Sequence, residues 1–133
     1  MNVKRKIDDQ LYKINNPERY IGNEWNEIKK KWTTDKIKIV LAFPDVYEIG
    51  MSHLGMKIIY HLLNKEEGII CERTFSPWTD MERLLNKNDL PLYALESGKA
   101  VNEFDILGFT LQYEMSYTNI LNILDLSGLA LRS

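Results

Sequence analysis

At 133 residues, with 44% hydrophobic and 27% charged side chains, the chain is long enough to close one buried core and too apolar to stay disordered. The formal charge of −2 divides into 8 basic and 6 acidic groups over residues 1–35 and 9 and 13 over the remainder, so the basic excess is slight and mixed with carboxylates, and nucleic acid is not expected as a partner. No apolar run reaches the roughly 18 residues of a membrane span, and the single cysteine, Cys71, cannot make an internal disulfide, or a zinc or iron–sulfur site by itself, a usage that suits a cytoplasmic protein.

The chain opens on a helical pattern. Val3, Ile7, Leu11 and Ile14 fall on one stripe, and Asn15-Asn16-Pro17 ends it. A second stripe runs through Ile21, Trp25, Ile28 and Trp32, although EIKKKW reads equally well as a short exposed strand. Residues 1–34 are therefore taken as an N-terminal helical arm, docked on the sheet of its own chain or on another domain, and residues 35–133 as an α/β domain.

KIKIVLAF (36–43) is a lysine-flanked apolar run, expected as a strand buried on both faces. A polar loop follows, then a helix capped by Ser52, with Leu54, Ile58, Ile59, Leu62 and Leu63 turned inward and Gly68 just past its end. IICER (69–73) reads as a short strand that buries Cys71. TDMERLLNKN (79–88) reads as a helix with Asp80 and Glu82 in its first turn, where the dipole favours acids. LPLYALES (90–97) is expected as a short strand and DILGFTL (105–111) as a strongly buried one. The last helix spans 116–127 with Tyr117, Ile120, Leu121 and Leu124 inward, and Gly128 terminates it.

Strands alternating with helices imply βαβ units and a doubly wound, mainly parallel sheet of the flavodoxin or cobalamin-binding kind, with KIKIVLAF central between DILGFTL and IICER. The chain ends at GLALRS, where this alternation calls for a further strand, so the domain is expected to be incomplete at its C-terminus.

In open parallel sheets, ligands bind beyond the carboxyl ends of the strands. Two loops leave apolar strands on that edge, FPDVYEIGMSHLG (43–55) and TLQYEMSYTN (110–119). Each leads into a helix N-terminus, whose free N–H groups attract anions. Gly50 and Gly55 permit close backbone approach, Ser52 caps or donates, and Asp45 and Glu48 accept hydrogen bonds. Thr110, Gln112 and Tyr113 are the candidates on the second loop. Each has a plainer role as well: Pro44 ends a strand, Gly55 lets helix and sheet approach, and a single histidine such as His53 is more often structural than a ligand. His61, eight residues on, is wrongly spaced to share a metal with it. Asp45 and Glu48 lack an accompanying nucleophile, so no catalytic or metal-binding residues are assigned.

Four blocks together carry a resemblance: PERYIGNEWN (17–26), LAFPDVYEIGMSHLGMKIIYHLLN (41–64), FSPWTDMERLL (75–85) and DILGFTLQYEMSYTNILNILDLSG (105–128). In these the chain resembles the N-terminal, cobalamin-binding-like region of a bacterial group of radical S-adenosylmethionine (SAM) proteins. The resemblance implies an accessory domain without catalytic machinery of its own. Its partner would be a partial (β/α) barrel further along the same chain, whose CxxxCxxC loop binds a [4Fe-4S] cluster and S-adenosylmethionine. For this domain it implies cobalamin as the candidate cofactor, held by Asp45, Glu48, Gly50, Ser52, His53, Gly55, Thr110, Gln112 and Tyr113. Cobalamin domains that ligate cobalt through histidine carry DxHxxG; MSHLGM (51–56) keeps the histidine but lacks the aspartate and the spaced glycine, so His53 is not assigned to cobalt. The competing readings are a structural module whose loops dock the barrel, and an unrelated flavodoxin-like nucleotide binder.

Overall fold

The computed structural model of the chain describes residues 2–14, 20, 27–44, 54–110 and 117–129. Its centre is the apolar run at 36–43. β1 (Ile37–Phe43) pairs in parallel with β2 (Ile69–Phe75) on one side and β3 (Ile106–Phe109) on the other, giving the order β2-β1-β3. The register sets Val40 beside Glu72 and Leu107, and Leu41 beside Arg73 and Gly108. The expected central strand and both neighbours are thus in place, in an open, all-parallel α/β sheet flanked by helices.

The pleat divides the core in two. Leu41, Phe43 and Phe75 point to the face covered by α2 (Leu54–Lys65), where Met56 joins them. Val40 and Ala42 point the other way, toward α3 (Thr79–Lys87) and α4 (Tyr117–Leu126), which contribute Met81, Leu85 and Ile123. Val3, Ile7, Leu11 and Ile14 are buried in this second cluster, so the expected N-terminal stripe is real. Its helix is short: α1 (Val3–Ile7) tightens into a 3₁₀ segment at Asp8–Lys13. A second 3₁₀ turn, Val101–Glu103, precedes β3. Among the described residues no helix is long and apolar enough to cross a membrane.

α4 ends as its sequence requires. Gly128 adopts φ +70°, its N–H donates to the Asp125 carbonyl, and Leu129 N–H donates to the Leu124 carbonyl, together a Schellman closure.

Several expectations are corrected. The inward face of α2 is Met56, Tyr60 and Asn64, not the Leu54–Ile58–Leu62 stripe. This helix is apolar on two sides, and the side carrying Tyr60 and Asn64 wins because those groups find partners on the sheet. In α4, Ile123 and Leu126 are buried while Tyr117 and Leu121 are exposed, since α3 and the 92–101 segment approach the former pair. β3 is shorter than expected and half exposed, as an edge strand is. Of the second N-terminal stripe, Ile21 and Trp25 lie outside the described residues. Residues 27–33 are neither helix nor strand, because Ile28 and Trp32 are tied to α2 and β2 by hydrogen bonds.

LPLYALES is not a strand. It makes one antiparallel bridge, Tyr93 to Ala100, and turns back at Gly98. Its backbone serves the outer edge of β2, where Leu95 N–H donates to the Arg73 carbonyl at 2.9 Å. That edge is closed by side chains as well. Lys30 Nζ donates to the Ile69 carbonyl (2.8 Å), the Asn64 carboxamide pairs with Cys71, and Glu96 Oε2 accepts from Arg73 N–H (2.8 Å). No further strand can add to β2 while these bonds hold.

Candidate functional site at the carboxyl edge of the sheet

Where the parallel strands end, the chain must turn, and its polar groups gather. β1 runs out at Phe43-Pro44, and β2 is extended by Ser76, whose N–H donates to the Phe43 carbonyl at 3.3 Å. From there Pro77 and Trp78 lead into α3. Across the edge, Asn119 in the first turn of α4 donates from Nδ2 to the Pro44 carbonyl at 2.8 Å. This bond joins the root of the 43–55 loop to the far root of the 110–119 loop.

Beside it lies a cavity of about 230 Å³ lined by Ser76, Pro77, Trp78, Thr79, Glu82, Asn119 and Asn122. Two carboxamides, two hydroxyls, one carboxylate and a half-exposed indole make a lining without a cationic side chain. Asn122 Nδ2 donates to Glu82 Oε2 at 3.4 Å, and Trp78 N–H donates to Tyr20 Oη at 3.0 Å, which holds the entry to α3 in place. Asp80 and Glu82 already complement the dipole of α3, so a further anion there would meet like charge. The cavity suits neutral hydrogen-bonding groups such as amides and hydroxyls. It lies below the roughly 300–1,000 Å³ of pockets that enclose a whole small ligand, so it would take one part of a larger molecule.

Of the nine residues assigned from sequence, Gly55 and Thr110 are described. Gly55 is exposed in the first turn of α2. Thr110 follows β3, and its buried Oγ1 has no hydrogen-bond partner among the described residues. Asp45, Glu48, Gly50, Ser52, His53, Gln112 and Tyr113 lie outside the described residues.

Sequence reasoning missed Ser76, Trp78, Asn119 and Asn122, although SPWT between a strand and a helix was a legible sign of a loop on this edge. It also missed a buried ionic cluster lower in the sheet. Arg73 Nε donates to Glu96 Oε1 at 2.6 Å, and the guanidinium lies 4.7 Å from the centre of the Tyr60 ring. Glu72 accepts from Trp32 Nε1 and from Ser97 N–H, both at 2.8 Å. Burial pushes the Glu96 carboxyl up to about 7 against the opposing pull of Arg73. Every oxygen of these two carboxylates has a donor, and the cluster fixes the 92–101 segment to β2. It is a structural clamp.

The cavity offers amides and hydroxyls, groups of the kind that the amide-bearing rim of a corrin would need as hydrogen-bond partners; among the described residues no group of three or more His, Cys, Asp or Glu that could hold a metal ion occurs. Cys71 does not fit an iron–sulfur cluster. It is fully buried, and burial pushes its thiol up to about 12, far from the thiolate such a cluster needs.

No curated protein and no solved structure matches the chain. Residues 55–133, more than half of it, match a protein family described as the N-terminal region of radical SAM proteins. That span holds α2, β2, α3, β3 and α4, and with them all but the first root of the carboxyl-edge site. The chain belongs to the family of radical SAM protein N-terminal regions.

Proposed function

We propose that this chain is the accessory N-terminal module of a longer radical SAM protein, and that the carboxyl edge of its sheet binds a cofactor, with cobalamin as the candidate, or holds substrate for the domain that follows. That following domain would be a partial (β/α) barrel carrying the [4Fe-4S] cluster and S-adenosylmethionine. Residues 1–34 act as an arm bracing the α/β domain of residues 35–133. The observation that carries the reading is the Asn119–Pro44 hydrogen bond, which fastens the two loop roots side by side at the edge where parallel sheets bind ligands. With the roots joined, Asp45, Glu48, Gly50, Ser52, His53 and Gly55 on one loop and Thr110, Gln112 and Tyr113 on the other would face a common ligand. The neutral cavity under Trp78 would receive its amide or hydroxyl groups. MSHLGM lacks the aspartate and spaced glycine of histidine-ligating cobalamin loops, so cobalt would be held without His53.

Titrating the full-length protein with hydroxocobalamin tests this. Saturable binding with a corrin spectrum unchanged in His53→Ala is the expected result. A spectrum lost in that variant would make His53 the cobalt ligand. Absence of binding would leave the loops as a docking surface and remove cobalamin from the account.

A further inference from the structure

The described sheet has two edges, and they differ. The outer edge of β2 is sealed by the Leu95 N–H and by the side chains of Lys30, Asn64 and Glu96. β3 pairs with β1 on one side, and among the described residues no strand pairs with it on the other. Asp105 N–H donates to the Lys38 carbonyl at 2.9 Å. The alternation of a strand therefore turns the N–H groups of Leu107 and Phe109 toward β1 and those of Ile106 and Gly108 outward. This edge reads ILGF, with neither a charge nor a proline, and Ile106 is 50% exposed. Parallel strands of such composition are ordinarily covered.

The connections say by what. β1 leads through α2 to β2 on one flank, with α2 on one face of the sheet; β2 leads through α3 to β3 on the other flank, with α3 on the opposite face. The two crossovers thus share one hand, as connections between parallel strands do. α4 starts at the carboxyl edge, where Asn119 holds the Pro44 carbonyl. It ends at the amino end of β3, where a Cβ added to Gly128 would lie 3.6 Å from Asn102, in the 3₁₀ turn that feeds β3. Because α4 lies on the face of α3, the same hand carries the chain onward past β3 and away from β1.

We propose that the free edge of β3 is the seat of a further parallel strand, formed by residues of the same chain beyond Ser133. This rests on the reading above that the chain is one module of a longer protein. The strand order then becomes β2-β1-β3 followed by the new strand, with the crossovers after β1 and β3 departing in opposite directions. The crevice between the carboxyl ends of β1 and β3, bridged by the Asn119–Pro44 bond, is thereby the switch point at which such sheets bind ligands. The strand on β3 would form the far wall of that crevice.

The test is made on the full-length protein in two ways. With p-benzoylphenylalanine at position 106, photo-crosslinks should reach residues of the same chain within about fifteen positions beyond Ser133, the span of a short loop and one strand. The same probe at the exposed Tyr12 should not reach them. In the unsubstituted protein, the N–H groups of Ile106 and Gly108 should exchange within roughly tenfold of the rates at Leu107 and Phe109, since all four would be bonded. Crosslinks confined to residues 1–133, crosslinks that join two copies or fall only further along the chain, or faster exchange at Ile106 and Gly108 than this would each overturn the proposal. Failure of the cobalamin reading would look different: hydroxocobalamin would not bind, while crosslinks and exchange stayed as expected.

Discussion

The side chain of Asn64 reads the backbone of Cys71 as a neighbouring strand would. Its Nδ2 donates to the Cys71 carbonyl at 2.9 Å and its Oδ1 accepts from the Cys71 N–H at 3.0 Å, both bonds buried. One carboxamide at the end of α2 therefore supplies the two hydrogen bonds that the outer edge of β2 would otherwise leave unmade. Asn64→Leu keeps the volume and removes both. Two stranded backbone groups cost roughly 2–4 kcal/mol together. Urea unfolding should show a loss of that size, and a loss below about 0.5 kcal/mol would contradict this role.

Glu96 makes stability depend on pH. Burial raises its carboxyl from the ordinary 4.5 to about 7 in the folded chain, with Arg73 opposing and Glu72 adding to the rise. Between these values the folded state holds a proton that the unfolded state has released. The contribution is therefore fully present below about 4.5 and is lost as pH rises through about 7, a change on the order of 3 kcal/mol. Thermal unfolding across pH 4.5–8 should show this downward trend. Glu96→Gln should flatten it, because the amide that then faces the two Arg73 donors does not titrate in this range.

Gly98 and Gly68 should respond oppositely to alanine. At Gly98, φ is +72°, and an added Cβ would lie 2.5 Å from Asn2 Oδ1 and 2.7 Å from Lys4 Cβ. The Gly98 carbonyl also accepts from Val3 N–H at 2.8 Å, so the turn cannot simply back away from α1. Gly98→Ala should cost roughly 1–3 kcal/mol. At Gly68 nothing lies within 4 Å of the new methyl, and Gly68→Ala should be neutral or stabilise by up to about 1 kcal/mol.

Cys71 should behave as packing. Its thiol is buried and pushed up to about 12 by that burial and by Glu96 and Glu72. Reaction with a disulfide reagent such as dithiobisnitrobenzoate should proceed only as fast as the chain unfolds. Rapid labelling of the native protein would contradict the packing described around β2.

The sheet was legible because its signal is strong: KIKIVLAF and DILGFTL are short apolar runs separated by helical stretches, and such runs pair in parallel. The faces of α2 and α4 were not, because both helices carry more apolar residues than one face can hold. Which side turns inward is then decided by partners distant in sequence, such as Arg73 beneath Tyr60 and Cys71 beside Asn64. LPLYALES alternates like a strand, but its backbone is spent on Arg73, Lys99 and Leu126. The two adjacent charges in IICER were a readable sign that this strand buries ion partners, although Glu96 and Trp32 could not be named from local pattern. For the candidate site, what was legible was that β1 and β3 end on one edge of the sheet, where the 43–55 and 110–119 loops have their roots. The cavity of Ser76, Trp78, Asn119 and Asn122 was not, because those residues come together only when α3 and α4 pack side by side.

The central claim, that the carboxyl edge is the ligand-binding face, is tested most directly by hydrogen exchange of the full-length protein with and without hydroxocobalamin. Added ligand should slow exchange at residues 42–57, 76–79 and 110–120, and leave residues 30–37 and 64–69 at the opposite end of the strands unchanged. Asn119→Ala, which removes the bond between the loop roots, should weaken that protection. Protection confined to the amino ends of the strands, or bound ligand with no change at the carboxyl edge, would contradict it.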